Sequence, residues 1–243
     1  MIAGIHQPHY FPWIGYFNKM AESDIFILLD EVQMEKGSYM YRNRILNQQG
    51  KIVYLTISGD KHGFIDKKYN EIKSKDDETW LKKHREEIQR SYGDSVFFEE
   101  VWSEIADLFE TRESTICEYC IRSILRIKEL LGIGSKVVLQ SDMEYDKNQR
   151  KNDLVIELCK AVGATEYLSG NGARKYADEA SFADASIVLS YQQFKIPEYP
   201  QMNSSEFTPG LSMLDLFFNC GIEKAKEIFW ETCNTRVKLV DKG

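Results

Sequence analysis

Apolar residues in this chain fall into short unbroken runs separated by amphipathic stretches. Ile2 to Ile5, Asp24 to Leu29, Lys136 to Gln140, Glu166 to Ser169 and Ser186 to Ser190 each have the length and apolar content of a buried strand. Helical spacing appears in Ile14 to Ala21, where Ile14, Phe17 and Met20 share a face. Glu78 to Tyr92, Ser103 to Leu131, Asn152 to Val162 and Leu211 to Cys220 also read as helices, with Ser212 as the N-cap of the last. Ala173 to Asp178 opens a further helix. Tyr39 to Ile45 and Ile52 to Ile57 pair as strands across Asn47-Gln-Gln-Gly50, Gly59 to Gly63 is a loop, and Ile65 to Ile72 shows no clear period. Strands alternating with helices predict an α/β fold, a mostly parallel sheet flanked by helices. The expected organisation is a single α/β domain over residues 1–243, with a mainly helical insertion at about 75–131.

Composition narrows the function. The chain carries a net charge of −7, with 43% hydrophobic and 28% charged residues. That balance is ordinary for a globular protein and argues against a general nucleic-acid binder, which needs a basic face. No apolar run approaches membrane-spanning length and the first residues read as a strand, so a cytoplasmic location is expected. The five cysteines fit reducing surroundings. Cys117-Glu-Tyr-Cys120 is a CxxC inside a long amphipathic segment, without a second pair, and reads as two half-buried thiols. Trp80, Trp102, Phe97 and Phe98 read as core or as a homo-oligomer interface. The residues name no metal set and no cofactor.

The chemistry concentrates at strand ends. After Ile5 comes His6-Gln7-Pro8-His9-Tyr10-Phe11-Pro12-Trp13, a turn stiffened by two prolines and leading into a helix. Open α/β sheets bind ligands at such strand-to-helix turns. His6 and His9 are candidate catalytic groups, with Gln7, Tyr10 and Trp13 as substrate contacts; the alternative is an aromatic cluster closing the sheet edge. Asp30-Glu31, at the end of the second strand, can orient an imidazole, bind a metal or hold a ribose hydroxyl, or merely cap a turn; Gln33 follows it. Arg42-Asn43-Arg44 sets two guanidiniums on one strand face, a pattern suited to phosphate or carboxylate, or to a solvated salt-bridged edge. His84 shares a helix face with Trp80. Late in the chain, Ser169-Gly170-Asn171-Gly172-Ala173-Arg174 is again a strand running into a helix start, where glycines admit an anion to backbone N–H groups. Two such loops make an analogy to the HIGH-type nucleotidyltransferases, with Ser169 and Arg174 at the matching spacing.

The opening His6 to Phe17 block, Phe26 to Gln33 and Arg42-Asn43-Arg44-Ile45 resemble the WbqC-like protein family. Trp80 with His84, the Tyr167-Leu-Ser169-Gly170 turn and Pro209 to Gly221 look like its later blocks. The resemblance implies bacterial surface-polysaccharide (O-antigen) biosynthesis, with transfer of an acyl or aminoacyl group, glycyl among the candidates, to an amino sugar. Its substrates are then small molecules: a nucleotide-linked sugar with an activated acyl donor, or a nucleotide. In that reading His6 or His9 is the base, Asp30 orients it and Arg42 and Arg44 hold the phosphates. Nucleotidyl transfer and non-catalytic nucleotide-sugar binding are the other two readings.

Overall fold

The computed structural model describes residues 1–60, 64–75, 79–175 and 178–233. Five short apolar strands assemble into one parallel sheet: β1 (Ile2–His6), β2 (Ile25–Leu28), β5 (Lys136–Leu139), β6 (Glu166–Ser169) and β7 (Val188–Tyr191). Their order across the sheet is β5-β2-β1-β6-β7. Counted along the chain, that is third, second, first, fourth, fifth, which matches the first five strands of the doubly wound dinucleotide-binding order. The chain therefore reverses direction across the sheet between β1 and β6, and the crevice at their carboxyl ends is where such folds bind ligands. β3 (Arg42–Leu46) and β4 (Ile52–Thr56) form a separate antiparallel pair.

Both faces of the parallel sheet are covered, which is why its central strands are apolar throughout rather than alternating. On one face Phe26 and Leu28 join a large core with α1 (Ile14–Ala21), α2 (Thr79–Tyr92), α3 (Phe98–Ile105), α4 (Ile116–Leu130), α7 (Met213–Cys220) and α8 (Ile222–Cys233). On the other, Ala3, Ile5, Ile25 and Ile27 pack with α5 (Lys151–Ala161) and with Phe182 of α6 (Glu179–Asp184). Gly4 has no room for a side chain, because a Cβ there would lie 2.4 Å from Ser23 Oγ and 2.7 Å from the Phe26 ring. β1 thereby sits tight against its neighbour.

Several boundaries differ from expectation. The long helix over Ser103 to Leu131 is two helices, because a 3-10 turn, Ala106–Phe109, ends the first, and Thr115 starts the second. Thr115 Oγ1 accepts from Glu118 N and the Glu118 carboxylate accepts from Thr115 N, a reciprocal cap that nucleates α4. β3 starts at Arg42 rather than Tyr39. The turn after Gly170 is a 3-10 helix, Asn171–Lys175, with α6 beginning only at Glu179. Parts of three expected elements, residues 61–63, 78 and 176–177, lie outside the described residues.

Candidate functional site

The carboxyl end of β1 delivers His6 into a turn that the rest of the fold holds in one shape. Phe11 has φ of 39°, a left-handed conformation that a bulky residue adopts only under constraint. The constraint is visible. Its carbonyl accepts from Asn43 Nδ2 at 2.8 Å and from Ser212 Oγ at 2.8 Å, and its N–H donates to Ser123 Oγ at 3.0 Å. Asn43 Nδ2 also donates to the Tyr10 carbonyl at 3.0 Å. Met213 N donates to the Pro12 carbonyl at 2.9 Å. Segments from β3, α4 and the start of α7 thus clamp one tripeptide.

The clamp aims two imidazoles at one spot. The His6 and His9 rings meet edge to face with centroids 4.6 Å apart, and Tyr16 of α1 lies 4.9 Å from His6 and 5.5 Å from His9. Tyr39 flanks His9 at 5.8 Å. His6 Nδ1 sits 3.1 Å from the Gln7 carbonyl, which also accepts from Tyr16 OH. Beneath them lies a residue that the sequence reading missed. Lys19, 4% exposed, donates from Nζ to the Ile5 carbonyl at 2.7 Å. Burial pulls its pKa down to about 7. Burial first, and the Lys19 charge second, hold His6 well below the ordinary imidazole range and His9 at about 3. The pair is neutral at physiological pH and able to accept a proton or a hydrogen bond. The one available signal for Lys19 was a cation placed between Phe17 and Met20 on a helix buried on every side.

The other sequence candidates divide. Asp30 is 2% exposed, and its hydrogen bonds run to Ser141 N and Oγ and to Asn70 Nδ2 rather than to an imidazole. It ties the end of β2 to the end of β5. Arg42 and Arg44 do share a strand face, yet Arg42 donates to the Gly37 carbonyl and lies against the Tyr54 ring, while Arg44 donates to the Gly210 and Pro209 carbonyls. They brace two loops and do not converge. Tyr10 is buried, with its OH 3.1 Å from His84 Nδ1, so its ring offers no stacking face. His84 Nε2 lies 3.1 Å from the Thr56 carbonyl. A neutral His84 protonated on Nε2 satisfies both partners, and burial lowers its pKa to about 4. Trp13 packs edge-on against Phe194. Gln33 is exposed and bridges to Lys68.

At the end of β6 the second loop opens outward. Ser169 is buried, while Asn171, Gly172 and Arg174 are exposed. A Cβ at Gly170 or Gly172 would meet no described atom within 4 Å, so the space beside this backbone is open. The Arg174 guanidinium lies 4.3 Å from the Tyr191 ring. β6 neighbours β1, so the histidine turn and this loop share the crevice. Cys117 and Cys120 are buried thiols whose pKa values burial pushes up. No helix among the described residues is long and apolar enough to cross a membrane.

A doubly wound parallel sheet with a paired-histidine turn at its reversal point defines the class: an α/β protein. The chain belongs to the WbqC-like protein family, whose model matches residues 7–227. It is similar to Uncharacterized protein Rv1507c of Mycobacterium tuberculosis (strain ATCC 25618 / H37Rv), 32% identical over 221 residues, covering 90% of this chain and 94% of the relative. No solved structure matches.

Proposed function

We propose that the protein is a transferase of bacterial surface-polysaccharide (O-antigen) precursor assembly, moving an acyl or aminoacyl group to the amine of a nucleotide-linked amino sugar. The observation that carries the reading is the neutral imidazole pair at the crevice, held 4.6 Å apart over a buried lysine. Family membership supports a biosynthesis-associated role.

In this reaction the sugar nitrogen forms a bond to the acyl carbon, and the bond from that carbon to its carrier breaks. The proton released by the nitrogen passes to His6 or His9 and then to the departing carrier. A base is most effective with a pKa near the working pH, and both imidazoles lie far below it. An anionic substrate beside them favours the imidazolium and offsets the Lys19 charge, raising their basicity only when substrate is bound. The backbone N–H groups of the open loop at Gly170 to Gly172 are the donors for developing negative charge.

Nucleotidyl transfer is the second reading. Its support is the strand order together with the Ser169-to-Arg174 loop beside β1. In it the histidines stabilise charge on the transferring phosphate and Arg174 holds the leaving group. A thermal-shift panel separates the two. It holds ATP with Mg²⁺, UDP-, GDP- and dTDP-linked amino sugars, coenzyme A thioesters and glycine. A ligand at a hundred times its Kd stabilises the fold by about 2.7 kcal/mol. Stabilisation by a nucleotide-linked amino sugar together with an acyl donor supports acyl transfer. A response to ATP–Mg²⁺ alone moves the assignment to nucleotidyl transfer.

A further inference from the structure

On the side of the histidine turn away from β6, the carboxyl ends of β2 and β5 frame a cleft of about 390 Å³. Glu31 stands at its centre. Lys67 and Lys68 line one wall, and Lys147 and Arg150 the other. With Asp66 as the second carboxylate, the cleft has two excess positive charges in a chain whose net charge is −7. Arg42 and Arg44 brace other loops, so these four cations, of which Arg150 also donates from Nη1 to the Lys147 and Gln149 carbonyls, are the concentrated positive charge beside the crevice.

The cleft is organised from below. Glu31 N donates to Gln140 Oε1, Gln140 Nε2 donates to Tyr145 OH, and Tyr145 OH donates to Glu31 Oε2. This closed ring joins the ends of β2 and β5. The Glu31 carboxylate, 10% exposed, then takes Lys68 Nζ at 2.5 Å and Lys147 Nζ at 3.5 Å. Burial alone would raise its pKa, but the hydrogen bonds from Lys68 and Tyr145 outweigh that and hold it below the ordinary value. One fixed anion thus draws a lysine from each wall, Lys67 makes no salt bridge among the described residues, and Arg150, whose charge also acts on the exposed Asp146, completes the set. Facing walls of this kind suit an anion whose charge is spread over two linked groups.

We propose that this cleft binds the diphosphate of a nucleoside diphosphate-linked substrate, with Lys67, Lys68, Lys147 and Arg150 as the contacts. The assignment deepens the transferase reading and rests on it for the substrate's identity. Neighbouring strands lie about 4.8 Å apart, so a diphosphate over β2 and β5 is held within roughly 10 Å of the β1 turn. The sugar it carries can then lie over His6 and His9.

Calorimetric titration of the full chain with inorganic pyrophosphate, UDP and uridine tests the assignment. Pyrophosphate and UDP are expected to bind and uridine to bind at least about tenfold more weakly, with affinity falling as salt is raised. The double variant K67Q/K147Q should weaken UDP about tenfold or more, whereas K136Q/K160Q, the same charge change elsewhere, should leave it unchanged. R150Q is an independent probe if the double variant fails to fold. Uridine binding as tightly as UDP, UDP binding without pyrophosphate binding, or equal losses in both double variants overturns the assignment. His6→Ala should bind UDP as the parent does. Full turnover in that variant would sink the histidine mechanism and leave the cleft standing, whereas parental UDP affinity in K67Q/K147Q sinks the cleft whatever His6 does.

Discussion

Lys19 Nζ donates to the carbonyl of Ile5, so a buried ammonium sits one residue beneath the start of the histidine turn. Its folded pKa, about 7, lies below the unfolded value of 10.5. Between those limits the unfolded chain binds more protons than the folded one, so stability rises with pH across that window. Lys19→Met should abolish this rise, seen as urea midpoints that run parallel for parent and variant below pH 7 and diverge above it. The His6 and His9 ring signals should titrate at higher pH in the variant, because the Lys19 charge no longer opposes their protonation. Unmoved ring signals would show that burial alone depresses the pair.

His6→Ala removes the imidazole nearest the strand end. Under the transferase reading turnover falls by roughly 10²-fold or more while substrate affinity is nearly retained. Steady-state kinetics together with a binding measurement separate the two effects. Equal turnover in parent and variant would take His6 out of the chemistry.

His84 gives the fold an acid sensitivity independent of catalysis. Its folded pKa is about 4 against 6.5 unfolded. As pH falls below 6.5 the unfolded state gains a proton that the folded state resists, and stability drops until about pH 4. The full effect is about 3 kcal/mol. His84→Gln should remove its share of this acid sensitivity, to which His6 and His9 add theirs, read as denaturant midpoints that fall less steeply between pH 7 and 4 than in the parent. A variant as acid-sensitive as the parent would place the effect in other groups.

Asn43→Ala leaves the buried Tyr10 and Phe11 carbonyls short of a donor. The Tyr10 carbonyl is left without a donor while the Phe11 carbonyl keeps Ser212 Oγ, so a loss of about 1–3 kcal/mol in unfolding free energy is expected. Phe11 also keeps its left-handed backbone only while its carbonyl is gripped. Turnover should therefore fall in Asn43→Ala even at temperatures where the protein is fully folded. Lost stability with undiminished turnover would show that Ser212 and Ser123 hold the turn unaided.

Much of the architecture was legible because parallel strands buried on both faces are close to apolar throughout, as β1 and β2 are, and the shorter runs of β5, β6 and β7 keep an apolar centre between the helices. The break inside Ser103 to Leu131 was harder to see, since the amphipathic pattern continues through the 3-10 turn. The Thr115-to-Glu118 spacing did mark the new start. α8 went unread although its buried Ala225 and Phe229 lie at helical spacing, with Ile222 and Ile228 packed beside them. At the site, the histidine turn could be located from its prolines and its place after a strand. The arginine pair shows what local pattern lacks. Alternation set both on one face, but their partners at Gly37 and Gly210 come from chain paths that no spacing reveals. Lys19 was hidden for the same reason, since only the packed helix shows that its charge has no route to water.

The grip of Ser212 on Phe11 spans 201 positions of sequence. Chains emerge from the ribosome N-terminus first. The histidine turn is therefore made well before the serine that completes its clamp. The growing chain carries its histidines long before it can hold them in place, so the geometry of the turn is set only once Ser212 has been made.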